Sequence, residues 1–385
     1  MATTADILII GGGIAGLSAA ARLGPHGRVV VLEAEDQIGY HSSGRSATML
    51  HYALGDRLIR ELTRASRPFF ENPPTDFQDA PVAHRMPVLV FARDDERPAL
   101  DALKAELDDF AQLEALDQRG VAELCPLLRT GPGGATCGIA DRNGLRLDPH
   151  ALLQGNLRML RRTGGALVTG ARVRQIARAG AEWQVATAAG SYSAPIIINA
   201  AGAWADSVAQ MAGVAPLQLQ PRRRTIITFD APDGTALEKL PFAKTVGNEL
   251  YFAPESGRLF ASPMDEVASD PCDAQPDELE IALAAHRVEE RTTVKVRSIY
   301  SRWAGLRTFA PDGHPLVGFD PDAEGFFWLA GQGGSGLQTS PAIAAIVEGL
   351  IVQSAPQSAG SNAGDLSPAR FRDDRIPGSA GVANC

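Results

Sequence analysis

The opening of the chain constrains its fold more than any other segment. Residues 5–10 (Ala-Asp-Ile-Leu-Ile-Ile) form a short apolar run readable as a buried parallel strand. Gly11-Gly12-Gly13-Ile14-Ala15-Gly16 follows, then apolar residues at helical spacing from Leu17 to Leu23. A second buried strand, residues 28–32, ends at Glu33, 22 residues after Gly11. Strand, glycine turn, helix and strand within about 30 residues is a βαβ unit carrying the dinucleotide fingerprint. Gly11 permits the tight turn, Gly13 lets the backbone approach a pyrophosphate, and Gly16 lets helix and strand pack closely. The helix N-terminus offers free N–H groups and partial positive charge to phosphates. Glu33 is placed to accept from ribose hydroxyls, which disfavours a 2′-phosphate.

Two further glycine turns follow strand-like runs. Asn199-Ala200-Ala201-Gly202-Ala203-Trp204 comes about 190 residues after the first, and Gly331-Gln332-Gly333-Gly334-Ser335-Gly336 lies between a late strand and a late helix. Three such turns spread over one chain suit one long cofactor held by a discontinuous domain, which favours FAD over NAD. A helix N-terminus at the third turn suits a flavin ring, whose reduced form carries negative charge.

Composition narrows the class. At 385 residues the chain has room for two domains, and with Lys+Arg 36 against Asp+Glu 45 its net charge is −9. That balance counts against nucleic-acid binding, and with it against a tRNA-modifying flavoprotein. Cys125, Cys137, Cys272 and Cys385 form no CxxC, so no metal site is expected, and free thiols in a reducing compartment are. The apolar start lacks a basic n-region, so it is not read as a signal peptide. No run reaches the roughly 18 apolar residues of a membrane span. These features point to a cytoplasmic protein, with peripheral attachment to the inner membrane left open, as monomer or small homo-oligomer.

Elsewhere the pattern predicts helices over 56–70, 95–110, 149–162, 277–291 and 335–352, and strands over 87–92, 166–200, 315–319 and 325–330. Residues 216–310 are richer in β-branched and aromatic residues and read as an antiparallel sheet with helices attached. The fold class expected is α/β, and the family resemblance given below implies its arrangement: a Rossmann-like FAD-binding domain interleaved with an α+β substrate domain built on an antiparallel sheet. The expected division is 1–75, 145–215 and 312–353 for FAD, 76–144 and 216–311 for substrate, and a loosely ordered tail over 354–385.

Several stretches together carry a family likeness. They are 9–16, Gly39-Tyr40-His41-Ser42-Ser43-Gly44-Arg45-Ser46-Ala47, 199–204, Gln220-Pro221-Arg222-Arg223-Arg224, Trp303-Ala304-Gly305-Leu306-Arg307 and 332–340. The chain resembles the D-amino-acid oxidase/glycine oxidase/sarcosine oxidase superfamily of FAD-dependent amine oxidoreductases, and most of all bacterial D-amino-acid dehydrogenases of the D-arginine type. The resemblance implies FAD contacts at Gly11, Gly13, Ile14, Ala15, Gly16, Glu33, Ser42, Arg45, Ser46, Val173, Ala201, Gly202 and Trp204. It implies further contacts at Gly331, Gly333, Gly334, Ser335, Gly336, Leu337 and Gln338. Relatives that tether FAD use a Cys near the position of Leu306 or a His near that of Arg45. Neither is present, so noncovalent FAD is expected.

The resemblance also implies Arg223 and Arg307 as carboxylate-binding arginines assisted by Tyr251, with the Gly334 carbonyl accepting from the substrate amine. An arginine fork suits a carboxylate, and alternation along a strand sets Arg223 opposite Arg222 and Arg224. The D-arginine branch has a His where this chain has Met49, so His51 is the nearest candidate base. Its tyrosine lid falls on Leu54 and its guanidinium-binding acid on Val88, so Met49, Leu54 and Val88 read as an apolar side-chain pocket. The expected reaction is oxidative deamination of D-amino acids with apolar or neutral side chains, by hydride transfer from Cα to flavin N5. It yields an imino acid, then a 2-oxo acid and ammonia, with O2 or a quinone as electron acceptor. N-alkyl amino acids and 2-hydroxy acids are alternative substrates for the same carboxylate clamp.

Overall fold

The computed structural model describes residues 2–77, 79–352 and 363–371. The fold is mixed α/β. One sheet has six strands in the order Ala166–Val168, Val29–Leu32, Ile7–Ile10, Ile196–Asn199, Phe326–Ala330 and Leu316–Phe319. The first five run parallel and the last antiparallel. Val29–Leu32 and Phe326–Ala330 are buried throughout, as parallel strands covered on both faces must be. The helix Ile14–Leu23 packs against both Pro149–Arg162 and Gly336–Val352 beside this sheet. Asp148 caps the helix Pro149–Arg162 by accepting from Ala151 N at 2.9 Å, with Pro149 at its first position.

A nine-stranded sheet forms the other large element. Its strands Gln220–Phe229, Arg258–Ser262, Tyr251–Glu255 and Phe242–Thr245 pair antiparallel in that order. Ser301–Phe309 pairs antiparallel with Gln220–Phe229 along nearly its whole length. One parallel pair, Phe242–Thr245 with Val88–Ala92, joins in the earlier strands. The two faces of this sheet differ. Ile227, Phe229, Ala243, Phe252 and Ala261 pack beneath the helix Glu278–Arg291. Ile226, Phe242, Tyr251 and Phe260 project from the opposite face, together with Met49 and Val88. That second face carries the site described below.

Two smaller sheets complete the fold. One has four strands, Thr3–Thr4, Gly190–Ala194, Glu182–Thr187 and Val173–Ala179, and the other joins Met49–Leu50, Leu145–Leu147 and Ala83–Arg85. The tail departs in part from expectation. Ala363–Leu366 and Pro368–Phe371 are helical turns lying against Leu316–Phe319. Leu366 is buried, and Arg370 Nε donates to Asp312 at 2.6 Å. A buried leucine and an ion pair give this short stretch the anchors that its composition conceals. The rest of 354–385 lies outside the described residues. No helix among the described residues is long and apolar enough to cross a membrane.

Candidate active site

One long cavity runs from the carboxyl ends of the parallel strands to the second face of the large sheet. All three glycine turns border it, with Gly11, Gly13, Ile14, Ala15, Ala201, Gly202, Gly331, Gly333 and Gly334 on its wall. Gly11 has φ +115°, and a Cβ there would strike the Ala200 carbonyl, with its carbon at 2.8 Å. Only glycine fits that turn. The helix Ile14–Leu23 has no acidic residue in its first turn, Ser43 Oγ accepts from Ile14 N at 2.9 Å, and its positive end faces the cavity. Glu33 is buried, its two oxygens accepting from Gly12 N at 2.6 Å and Glu35 N at 2.8 Å. This holds the carboxylate at the cavity wall, with lone pairs left for a ligand hydroxyl.

Further along, Ser42, Arg45, Ser46, Val173, Trp204, Gly336 and Leu337 also line the cavity. Arg45 serves as a tie. It donates to Tyr40 O at 3.1 Å, Ala274 O at 3.1 Å and Ala304 O at 3.2 Å, and pairs with Asp273 at 2.6 Å. Ser42 Oγ likewise donates to Leu306 O at 2.5 Å. These bonds pin the 39–46 loop to the strand Ser301–Phe309. Gly16, Ser335 and Gln338 fall outside the lining. A Cβ on Gly16 would collide with the Gly11 carbonyl, so Gly16 acts in packing. Ser335 bonds Gln332 O at 2.9 Å ahead of the last long helix. Gln338 is buried between the backbone of His51 and Thr63 Oγ1.

At the far end the cavity meets Arg224, Ile226, Tyr251 and Arg307. Here the structure corrects the strand phase. Arg222 stands directly opposite Arg307 and Arg224 opposite Gly305, so Arg222, Arg224 and Arg307 share a face. Arg223 projects to the other side, where Asp277 lies at 3.9 Å, and does not border the cavity. The inward arginine of the triplet is Arg224. It is fixed by donation from Nε to Asp265 O at 2.7 Å and by pairing with Glu266 at 2.9 Å, and its Nη1 is buried without a partner. Asp265 in turn accepts from Thr225 N and Thr225 Oγ1 at 2.7 and 2.9 Å. The phenol oxygen of Tyr251 is also buried and unpartnered. Among the described residues no carboxylate forms a salt bridge with Arg307, although the charges of Glu266 and Asp265 act on it from farther off. Burial, then the charge of Arg224, lowers Arg307 to about 10, so it stays cationic at neutral pH. A Cβ on Gly334 would sit 3.0 Å from Cζ and Nη1 of Arg307, so this glycine makes room for the guanidinium.

The remaining expected substrate residues sit elsewhere. His51 is buried, stacks on Phe242 with centroids 5.4 Å apart, and leaves Nδ1 unpartnered. Burial, then the charges of Lys244 and Arg307, lowers it to about 3, which makes it a weak base at neutral pH. Met49 and Val88 pack behind Tyr251 and Ile226, and Leu54 is half-buried. None of these four borders the cavity, so the apolar-pocket expectation loses its geometric basis. Sequence reasoning missed Arg224, His41 and Ile226 on the wall.

The residues present fit an FAD. They provide glycine turns at three points, a helix N-terminus that would face phosphates, a buried acid that would accept from a ribose hydroxyl, and a long cleft between. Comparison with known proteins agrees. The pattern of the DAO family, FAD dependent oxidoreductase, matches residues 6–350, and the chain belongs to that family. The chain is 26% identical to FAD-dependent oxidoreductase domain-containing protein 1 of Bos taurus, covering 90% of this chain and 81% of the relative. The fold is shared with glycine oxidase from Geobacillus kaustophilus (TM-score 0.81, 19% identity, 95% and 98% of the two chains). It is shared equally with L-α-glycerophosphate oxidase from Mycoplasma pneumoniae, solved with FAD bound (TM-score 0.81, 18% identity, 91% and 95%).

Proposed function

We propose that this FAD-dependent oxidoreductase oxidises a small amino acid at its α-carbon. The observation that carries the reading is the cationic Arg307, without a carboxylate partner, beside Gly334 at the flavin-side glycine turn. Arg307 and the free donor of Arg224 bind the substrate carboxylate, with Tyr251 donating a third bond. This fixes the α-carbon, and the Gly334 carbonyl accepts from the amine and aligns its lone pair. FAD, when bound, supplies a two-electron acceptor for the α-hydrogen, leaving an imine that water converts to a 2-oxo acid and ammonia. The residues here supply position and charge, and none is placed as a strong base.

Of the two configurations we propose D, on the resemblance of the sequence motifs to D-amino-acid dehydrogenases. Noncovalent FAD fits this reading, since Leu306 and Arg45 stand at the positions where relatives tether it and no cysteine among the described residues borders the cavity. The reading disfavours a cationic side chain, because Arg224 and Arg307 face the substrate end while Glu33 and Glu35 on the wall lie near the first glycine turn. The test is anaerobic mixing of the flavin-loaded protein with D- and L-amino acids, sarcosine and 2-hydroxy acids, followed near about 450 nm, where oxidised flavin absorbs. Bleaching by D-amino acids supports the reading. Bleaching by 2-hydroxy acids alone would replace it.

A further inference from the structure

Ile226 borders the substrate end of the cavity, and the mechanism above gives it no role. It lies two residues beyond Arg224 on the strand Gln220–Phe229, so both side chains leave the same face, about 7 Å apart along the strand. On the neighbouring strand, Gly305 stands opposite Arg224 and Trp303 opposite Ile226. Within one strand repeat the wall therefore changes from a cation to an aliphatic side chain.

Behind Ile226 the packing is apolar. Met49, Val88, Phe242, Tyr251 and Phe260 share one buried cluster with it. Among the described residues of that cluster, Ile226, Tyr251 and the partly buried Ala47 border the cavity, and the others do not. Tyr251 brings an unpartnered hydroxyl to the carboxylate clamp. Ile226, 1% exposed, is thus the aliphatic partition between the cavity and the core behind it.

A tetrahedral α-carbon carries four substituents. In the reading above the carboxylate goes to Arg224 and Arg307, the amine to the Gly334 carbonyl, and the hydrogen to the flavin. The side chain takes the direction that is left, toward the sheet, where Ile226 and Ala47 form the wall. Neither side chain has a hydrogen-bonding group, so a polar or charged substituent there would lose water without gaining a partner. A close-packed core behind a branched side chain also leaves a long substituent nowhere to go.

We propose that Ile226 sets the side-chain limit of the substrate, admitting a short apolar side chain and stopping a long one. The proposal rests on the amino-acid reading above, and Ile226 is a specificity residue rather than a catalytic one.

The experiment titrates the flavin-loaded protein with pyruvate, 2-oxobutyrate, 2-oxopentanoate and 2-oxohexanoate, following the perturbation of the flavin spectrum. These acids belong to the product class and bind without turnover. Wild type is expected to bind pyruvate and 2-oxobutyrate more tightly than 2-oxohexanoate. Ile226→Ala is expected to raise the ratio of 2-oxohexanoate to pyruvate affinity about tenfold or more, since each newly buried methylene is worth about fourfold. If that variant fails to fold, Ile226→Val, one methyl group shorter, is expected to raise the ratio about fourfold. Val88→Ala opens space on the far side of the partition, so alone it is expected to move the ratio by less than about twofold. Combined with Ile226→Ala it is expected to raise the ratio beyond that of Ile226→Ala alone. A ratio unmoved by the Ile226 variants overturns the proposal. So does Val88→Ala alone matching Ile226→Ala, or wild type binding 2-oxohexanoate as tightly as pyruvate. Anaerobic reduction of the flavin separates this inference from the reading beneath it. Amino acids that reduce the flavin, with a ratio indifferent to Ile226, sink the inference and leave the amino-acid reading standing. An Ile226-dependent ratio with no reduction by any amino acid leaves the size limit of a carboxylate site and removes the amino-acid reading.

Discussion

At the scale of single residues, the site is defined by which arginine of the 222–224 triplet faces the cavity. Arg224 is held rigid by Asp265 O and Glu266 and keeps one free donor, while Arg223 points away toward Asp277. Arg224→Ala is therefore expected to lower kcat/KM about 10- to 100-fold, mostly through KM, as loss of a charged hydrogen bond does. Arg223→Ala is expected to change it by less than about threefold. Steady-state kinetics on the two variants reads both. Strand alternation was legible in the sequence, but its phase was not. The phase follows from pairing Arg222 with Arg307, 85 residues away, and nothing local encodes that register. Lys244 adds a pH signature. Burial, followed by the charges of Arg224, Arg307 and Arg60, lowers it from 10.5 to about 8 in the folded chain. Between those values the unfolded chain binds more protons, so this residue's contribution raises stability as pH climbs from about 8 toward 10.5 and is lost as pH falls through 8. Urea unfolding across that range, compared with Lys244→Met, measures it. A variant that shows the same slope would remove Lys244 as its source.

At the scale of elements, the first βαβ unit was readable because all of its signals lie within about 30 residues of chain: an apolar run, glycines, a helical period and a terminal acid. The large sheet was readable only as a class, since its order brings Val88–Ala92 beside Phe242–Thr245 by a parallel pairing that no turn announces. Met49 and Val88 were recognisable as apolar, yet packing behind Tyr251 and lining a cavity look alike in a sequence. The 39–46 loop shows how elements hold the cofactor end. Arg45 ties it to Ala304 O and, through Asp273, to the segment before Glu278–Arg291. Asp273 is about half exposed, and the Arg45 guanidinium holds its carboxyl below the usual range. Asp273→Ala is expected to speed FAD release about 2- to 5-fold, the range for one exposed ion pair. Recovery of flavin fluorescence after dilution measures the release. Wild type is expected to approach the variant's rate in high salt, and a salt-independent release in wild type would count against the tie.

At the scale of the whole molecule, a cofactor cleft at the carboxyl ends of the parallel strands meets the second face of a mostly antiparallel sheet. The first supplies glycine turns and a helix N-terminus, the second supplies cations and an apolar floor. The net charge of −9 conceals this local reversal of sign, with Arg224 and Arg307 at one end of the cleft. In the proposed function Arg307 holds a substrate carboxylate so that the α-carbon is presented to the flavin. The most direct measurement is the anaerobic rate of flavin reduction as a function of amino-acid concentration, in wild type and Arg307→Ala. The structure predicts saturable bleaching in wild type, and in the variant a far weaker, nearly linear dependence that reflects lost binding. Equal saturation curves for the two proteins, or no bleaching of wild type by any amino acid, would contradict it.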